Sequence, residues 1–186
     1  MKATDFLLCL IDASGGAIRG RTLLQKTAYF VAQQVGFGKR LDFIPHFYGP
    51  FSPTVDEALG KLSAFGFVDE GTTGFGAVNR SGFEVRRHDY ALTDDGSQIV
   101  EAIKRNEPEA YQNIRDAVQR IRGAGDPDYL ELSIAAKTYL ILKRKGRPLT
   151  ADEVRSAARE LNWEITEQSI QKAVGLLEKL GFVQTT

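Results

Sequence analysis

One stretch of this chain is written twice. Residues 54–69, TVDEALGKLSAFGFVD, align without a gap on residues 169–184, SIQKAVGLLEKLGFVQ. Ala58, Gly60, Leu62, Gly66, Phe67 and Val68 recur as Ala173, Gly175, Leu177, Gly181, Phe182 and Val183. Each copy reads as a helix with one apolar face, stopped by a glycine that tolerates the left-handed backbone of a helix end. An aromatic-valine strand follows in each. A repeat of this size is one supersecondary unit used twice, so it narrows the fold more than any single motif does.

The elements around each copy extend the reading. Residues 2–13 place Phe6, Leu7, Leu10 and Ile11 at helical spacing before Gly15-Gly16. Residues 21–35 form a second helix. Its apolar positions, Leu23, Leu24, Phe30, Val31 and Val35, cover enough of the circumference to predict burial. LDFIPHFY reads as a short strand, with Pro45 placing it at an edge or bulge. Ser52-Pro53 then caps and starts the repeated helix. GFVDEG and FEVRRHDYAL read as a strand pair around a glycine-rich tip at 71–82. Thr93 caps a further helix, and 107–122 is amphipathic through Tyr111, Ile114, Val118 and Ile121. After GAGDPD come helices at about 129–145, 151–161 and 166–180 and a last strand, GFV.

Helix, helix, short strand, helix and two strands is the order of a winged helix-turn-helix. The expected class is therefore mainly α with small β wings (α+β), built from tandem winged helix-turn-helix units. An N-terminal domain spans 1–122, with its wing at about 67–91 and a trailing helix at 107–122. A linker spans 123–128, and a C-terminal winged-helix-like domain spans 129–186, with almost no wing.

Composition narrows the function classes. The 186 residues suffice for one large or two small domains, and 24 basic residues balance 24 acidic ones. The lone cysteine, Cys9, forms no internal disulfide, which fits a reducing, cytoplasmic setting. The N-terminal apolar run is broken by Asp5 and Asp12, so it reads as neither signal peptide nor membrane span.

Two quoted stretches carry a resemblance. GRTLLQKTAYFVAQQVG holds Leu24-Gln25-Lys26 and Tyr29, and FIPHFYGPFSPTVDEALGKLSAFGFV holds Phe47-Tyr48-Gly49-Pro50-Phe51-Ser52. Together they resemble the YwgA-like proteins and, more distantly, the Panacea or SocA-like antitoxin domain, over roughly residues 18–70. Where Panacea members carry a tryptophan before the Gly-Pro turn, this chain carries Phe47 and Tyr48. The resemblance implies a small cytoplasmic protein that works by binding, of the kind found beside toxin or defence genes.

Enzyme chemistry finds little support in the residues. His46 and His88, close together if the first strand pairs with the wing's return strand, lack a third ligand for a metal. Ser52 reads as a cap rather than a nucleophile. The glycine-rich tip joins two strands, whereas a phosphate cradle opens a helix. No catalytic residue, metal site or cofactor is expected.

Two kinds of partner remain. For double-stranded DNA, and hence a transcriptional regulator, the contact candidates are Arg19, Arg21, Lys26, Arg86 and Arg87 in the first unit. Lys143, Arg144, Lys145, Arg147, Gln168, Gln171 and Lys172 are those in the second. Against this, the first repeated helix exposes Asp56 and Glu57, which repel phosphates. For a partner protein, as in a toxin-antitoxin or phage-defence system, the candidates are His46, Tyr48 and Phe51, and residues 107–122 offer a homodimer face. The fold type puts DNA first and protein second. HFYGPFSP itself reads as a joint: Gly49 turns, Pro50 stiffens, Phe51 staples into the core, and Ser52-Pro53 launch the helix.

Overall fold

The computed structural model describes residues 1–78 and 84–184, with side chains at all of these except 75–78 and 84–86. Helix α1 (Ala3–Ala13) leads through strand β1 (Ala17–Arg19) into helix α2 (Arg21–Gln34). A small hairpin follows, β2 (Ile44–His46) and β3 (Gly49–Phe51), and then helix α3 (Pro53–Ala64). Strands β4 (Val68–Val78) and β5 (Glu84–Leu92) form a second, longer hairpin. Helices α4 (Asp94–Asn106), α5 (Pro108–Gly123), α6 (Tyr129–Lys145), α7 (Ala151–Glu160) and α8 (Glu167–Lys179) complete the chain. With 63% of residues helical and a small antiparallel sheet, the class is α+β, as the sequence predicts.

The helix starts obey the capping chemistry of their residues. Ser52 Oγ accepts from the Val55 amide at 2.9 Å, and Thr93 Oγ1 accepts from the Gly96 amide at 3.0 Å. Thr150 and Glu153 form a reciprocal capping box at the start of α7. The two repeated helices end alike. Gly66 and Gly181 both take left-handed backbone, with φ of 73° and 75°. The amides of Phe67 and Phe182 then donate back to Leu62 and Leu177 at 2.9 Å.

After this shared stop the copies diverge. Phe67 leads into β4, which pairs along its length with β5. The expected last strand at 181–183 does not form: residues 181–184 are turn and coil. An extended segment becomes a strand only when a neighbour satisfies its backbone, and β4 has β5 for that purpose. The glycine-rich tip differs as well. Strand β4 continues through Gly71 to Val78, with a register irregularity between Gly74 and Val78; residues 79–82 of that tip lie outside the described residues.

The sheet order is β1-β5-β4, all antiparallel, with Ile18 opposite Tyr90 and Val68 opposite Leu92. Sequence reading missed β1, whose three residues are too few to show a period. It also reads 41–48 as one short strand and leaves its pairing open, with the wing's return strand as one option. Among the described residues β2 pairs with β3 alone, Ile44 opposite Phe51 and His46 opposite Gly49.

The larger core draws on both sides of 123–128. It includes Phe6, Leu10, Phe30, Val55 and Tyr90, together with Leu132 and Ala136 of α6 and Leu177 of α8. A second cluster joins Ile141, Val154, Ala158, Trp163 and Ile170. Ile114, Ala117, Val118 and Ile121 of α5 are buried, and α5 packs on α1 and α2. The face that the sequence offers to a second copy is thus spent inside the molecule. No described helix is long and apolar enough to cross a membrane.

Candidate functional site

The β2–β3 hairpin is where the sequence motifs converge. Helix α2 is buried from Leu24 to Ala32, so its polar residues Gln25 and Lys26 go inside with the rest. Buried polar groups need partners. Gln25 finds them in the backbone of Ser52: its Nε2 donates to the carbonyl at 3.1 Å, and its Oε1 accepts from the amide at 3.0 Å. Lys26 Nζ donates to the Pro50 carbonyl at 2.7 Å. Ser52 Oγ, besides capping α3, donates to the carbonyl of Leu41. The LQK and GPFS segments are therefore two halves of one lock.

A third party holds the far side. Trp163 Nε1 donates to the His46 carbonyl at 2.8 Å, and the Lys137 ammonium sits 5.4 Å from the Trp163 ring centre. Gly49 makes the close fit possible. Its φ is 97°, and an added Cβ would stand 3.1 Å from Lys137 Cγ and 3.3 Å from the Ser133 carbonyl oxygen. Sequence reading missed Gln25, Lys137 and Trp163 as parts of this site. The available signal was a polar pair inside an otherwise fully buried helix.

Lys26 is only 2% exposed, so the sequence expectation that it meets DNA phosphates is overturned. Burial pushes its amine down to about 7, and the positive charge of Lys137 adds to the effect. Burial lowers Lys137 in the same direction. The buried Tyr29 hydroxyl has no hydrogen-bond partner among the described residues, and burial pushes its phenol up.

The lock points a sticky tip outward. Phe47 is 68% exposed and Tyr48 53%, their rings edge to face at 5.0 Å, with Ile44 also exposed. His46 is exposed on the same hairpin. Phe51, expected to staple the turn into the core, is instead half-buried against the His46 ring at 5.1 Å. Of the three partner-contact candidates, the structure thus brings His46 and Phe51 together and leaves Tyr48 at the tip.

The basic candidates scatter. Arg21 Nε donates to Asp56 at 2.7 Å, and that bond raises its pKa. Arg87 makes a two-point pair with Asp89 at 2.7 and 2.9 Å. Lys143 Nζ donates to Gln33 Oε1 at 2.6 Å, and Arg147 to Glu153 at 2.8 Å. Arg147 holds the Glu153 carboxyl down to about 2. Arg19, Arg144, Lys145, Gln168, Gln171 and Lys172 are exposed; the Arg86 side chain lies outside the described residues.

The two imidazoles belong to separate sheets. His46 is on β2, while His88 on β5 meets Glu70 at 2.7 Å. Among the described residues no three His, Cys, Asp or Glu side chains gather as metal ligands. What the hairpin can do chemically is bury aromatic surface against another molecule. No protein-family model matches the chain, and no curated protein sequence matches it.

Proposed function

We propose that this chain is a non-enzymatic, winged-helix-type binding protein whose partner is a protein gripped through the β2–β3 tip. The observation that carries this reading is the exposure of Phe47 and Tyr48 on a hairpin locked from behind by Gln25, Lys26 and Trp163. Adjacent exposed aromatics on a rigid support suit a contact hot spot, because little entropy is lost when they are covered. The winged-helix part of the reading draws on the order of α1, β1, α2, α3 and the β4–β5 hairpin, with β5 central in the sheet. The tandem part draws on the matched ends of α3 and α8. The resemblance to antitoxin-like families points the same way.

A DNA partner is the second reading. It is favoured by one observation, the joint exposure of Gln168, Gln171 and Lys172 on α8. Against it, Arg21, Arg87 and Arg147 already face carboxylates, and α3 presents Asp56 and Glu57. A mobility-shift titration against generic duplex DNA separates the two. The protein-binding reading expects no salt-sensitive shift at low ionic strength. A shift that weakens steeply with salt and is lost in Gln171→Ala with Lys172→Ala replaces it with the DNA reading.

A further inference from the structure

Helices α6, α7 and α8 leave between them a cleft of about 800 Å³. That is within the range of roughly 300–1,000 Å³ typical of small-molecule sites. Its walls are mostly apolar, with Leu142, Val154, Ile170, Val174 and Phe182 along them, and one carboxylate, Glu178, is also on the lining. Three further features ask for a ligand of a particular kind.

The first is Thr138. It lies in the cleft wall at 0% exposure, and its Oγ1 has no hydrogen-bond partner among the described residues. Such a hydroxyl costs stability until something brings it a partner. The second is Gly175, within α8. A glycine inside a helix costs about 1 kcal/mol relative to alanine. Here an added Cβ would meet nothing within 4 Å, so no neighbour in the chain requires the gap. The glycine leaves bare helix backbone on the cleft, which lets a ligand approach closely. The third is charge. Lys143 and Arg147 both line the cleft. Their partners, Gln33 for Lys143 and Glu153 for Arg147, are surface contacts. Exposed pairs of this kind exchange at little cost.

From these features we propose that the cleft binds an amphipathic organic anion: an acyl or aromatic body with one acidic group. The apolar body lies along Leu142, Ile170 and Val174, passes over Gly175, and places its anionic end beside Arg147 and Lys143. The site is independent of the hairpin tip, so its failure leaves the reading of the tip intact.

The test is a fluorescence titration of the full chain with 1-anilinonaphthalene-8-sulfonate, followed by displacement with decanoate and with 1-decanol. Saturable one-to-one binding of the dye, displaced by decanoate, is the expected result. Lys143→Ala with Arg147→Ala weakens decanoate at least fivefold and leaves 1-decanol unchanged. Gly175→Leu abolishes binding of all three while the melting temperature is kept. Dye binding that does not saturate overturns the proposal, as does binding unaffected by the charge-removing pair. A dimer in light scattering that Gly175→Leu splits also overturns it, because a second copy then fills the cleft. If Gly175→Leu does not fold, the charge-removing pair decides alone.

Discussion

The ammonium of Lys26 and the carbonyl oxygen of Pro50 lie 2.7 Å apart in the protein interior, joining the second helix to the hairpin that follows it. Burial of that amine, with the positive charge of Lys137 beside it, gives stability an unusual pH dependence. Lys26 falls from 10.5 to about 7 on folding, so between those values the unfolded chain holds a proton that the folded chain has released. Stability therefore rises with pH from about 7. Lys137, also lowered, adds to the rise. Cys9, raised from 9.0 to about 12, and Tyr90, raised from 10.0 to about 12, act oppositely above pH 9, where the unfolded chain loses protons first. Urea midpoints are expected to climb from pH 7 to about 9, level off where Cys9 offsets Lys26, and fall above about 10. Lys26→Met flattens most of the climb and spares the fall; an unchanged climb in that variant removes Lys26 as its source.

Gln25→Ala removes both bonds to Ser52 and leaves the buried Ser52 amide unpaired, while the Ser52 carbonyl keeps the Asp56 amide at 3.1 Å. At about 1 kcal/mol for each net bond, plus the penalty for the one orphaned amide, the expected loss is about 2–4 kcal/mol. Chemical denaturation measures it. A loss below ~1 kcal/mol means that water replaces the side chain.

Gly49→Ala forces a Cβ into left-handed backbone and against Lys137 and Ser133. A loss of at least ~1 kcal/mol is expected, read as a lower melting temperature. Gly60→Ala is the control, since its Cβ would meet nothing within 4 Å and the helix gains propensity. That variant is expected to melt at or above the parent temperature.

Trp163, the single tryptophan, is 2% exposed, so its fluorescence reports on the lock directly. Trp163→Phe keeps most of the apolar body and loses the bond to the His46 carbonyl. Faster amide exchange confined to residues 44–51, with α1 and α5 unaffected, is the expected signature. Uniform protection across the chain shows that the bond does not hold the hairpin.

How far the sequence predicts this molecule varies with the kind of signal. Helices spanning several turns announce themselves by period, and Ser52, Thr93 and Thr150 mark their starts because capping is local chemistry. The glycine stops at Gly66 and Gly181 are legible for the same reason. Strand β1 is not, because three residues carry no period and their pairing with β5 is set by tertiary packing. The candidate site was half legible. HFYGPFSP reads as a joint, and the joint is there, but its fastening depends on Gln25, Lys26 and Trp163, which lie far from it in the chain. Lys26 shows the physical reason most clearly: composition counts its charge as surface, while the burial of all sides of α2 takes it inside.

The central claim is that the Phe47–Tyr48 tip meets a partner protein, and photo-crosslinking in the native cell tests it most directly. Benzoylphenylalanine at position 47 is expected to give one discrete protein adduct, lost when Tyr48→Ser is added, while both variants keep the parent melting temperature. The same residue at position 171 is expected to give no DNA adduct. Nuclease-sensitive adducts from position 171, with none from position 47, contradict the account.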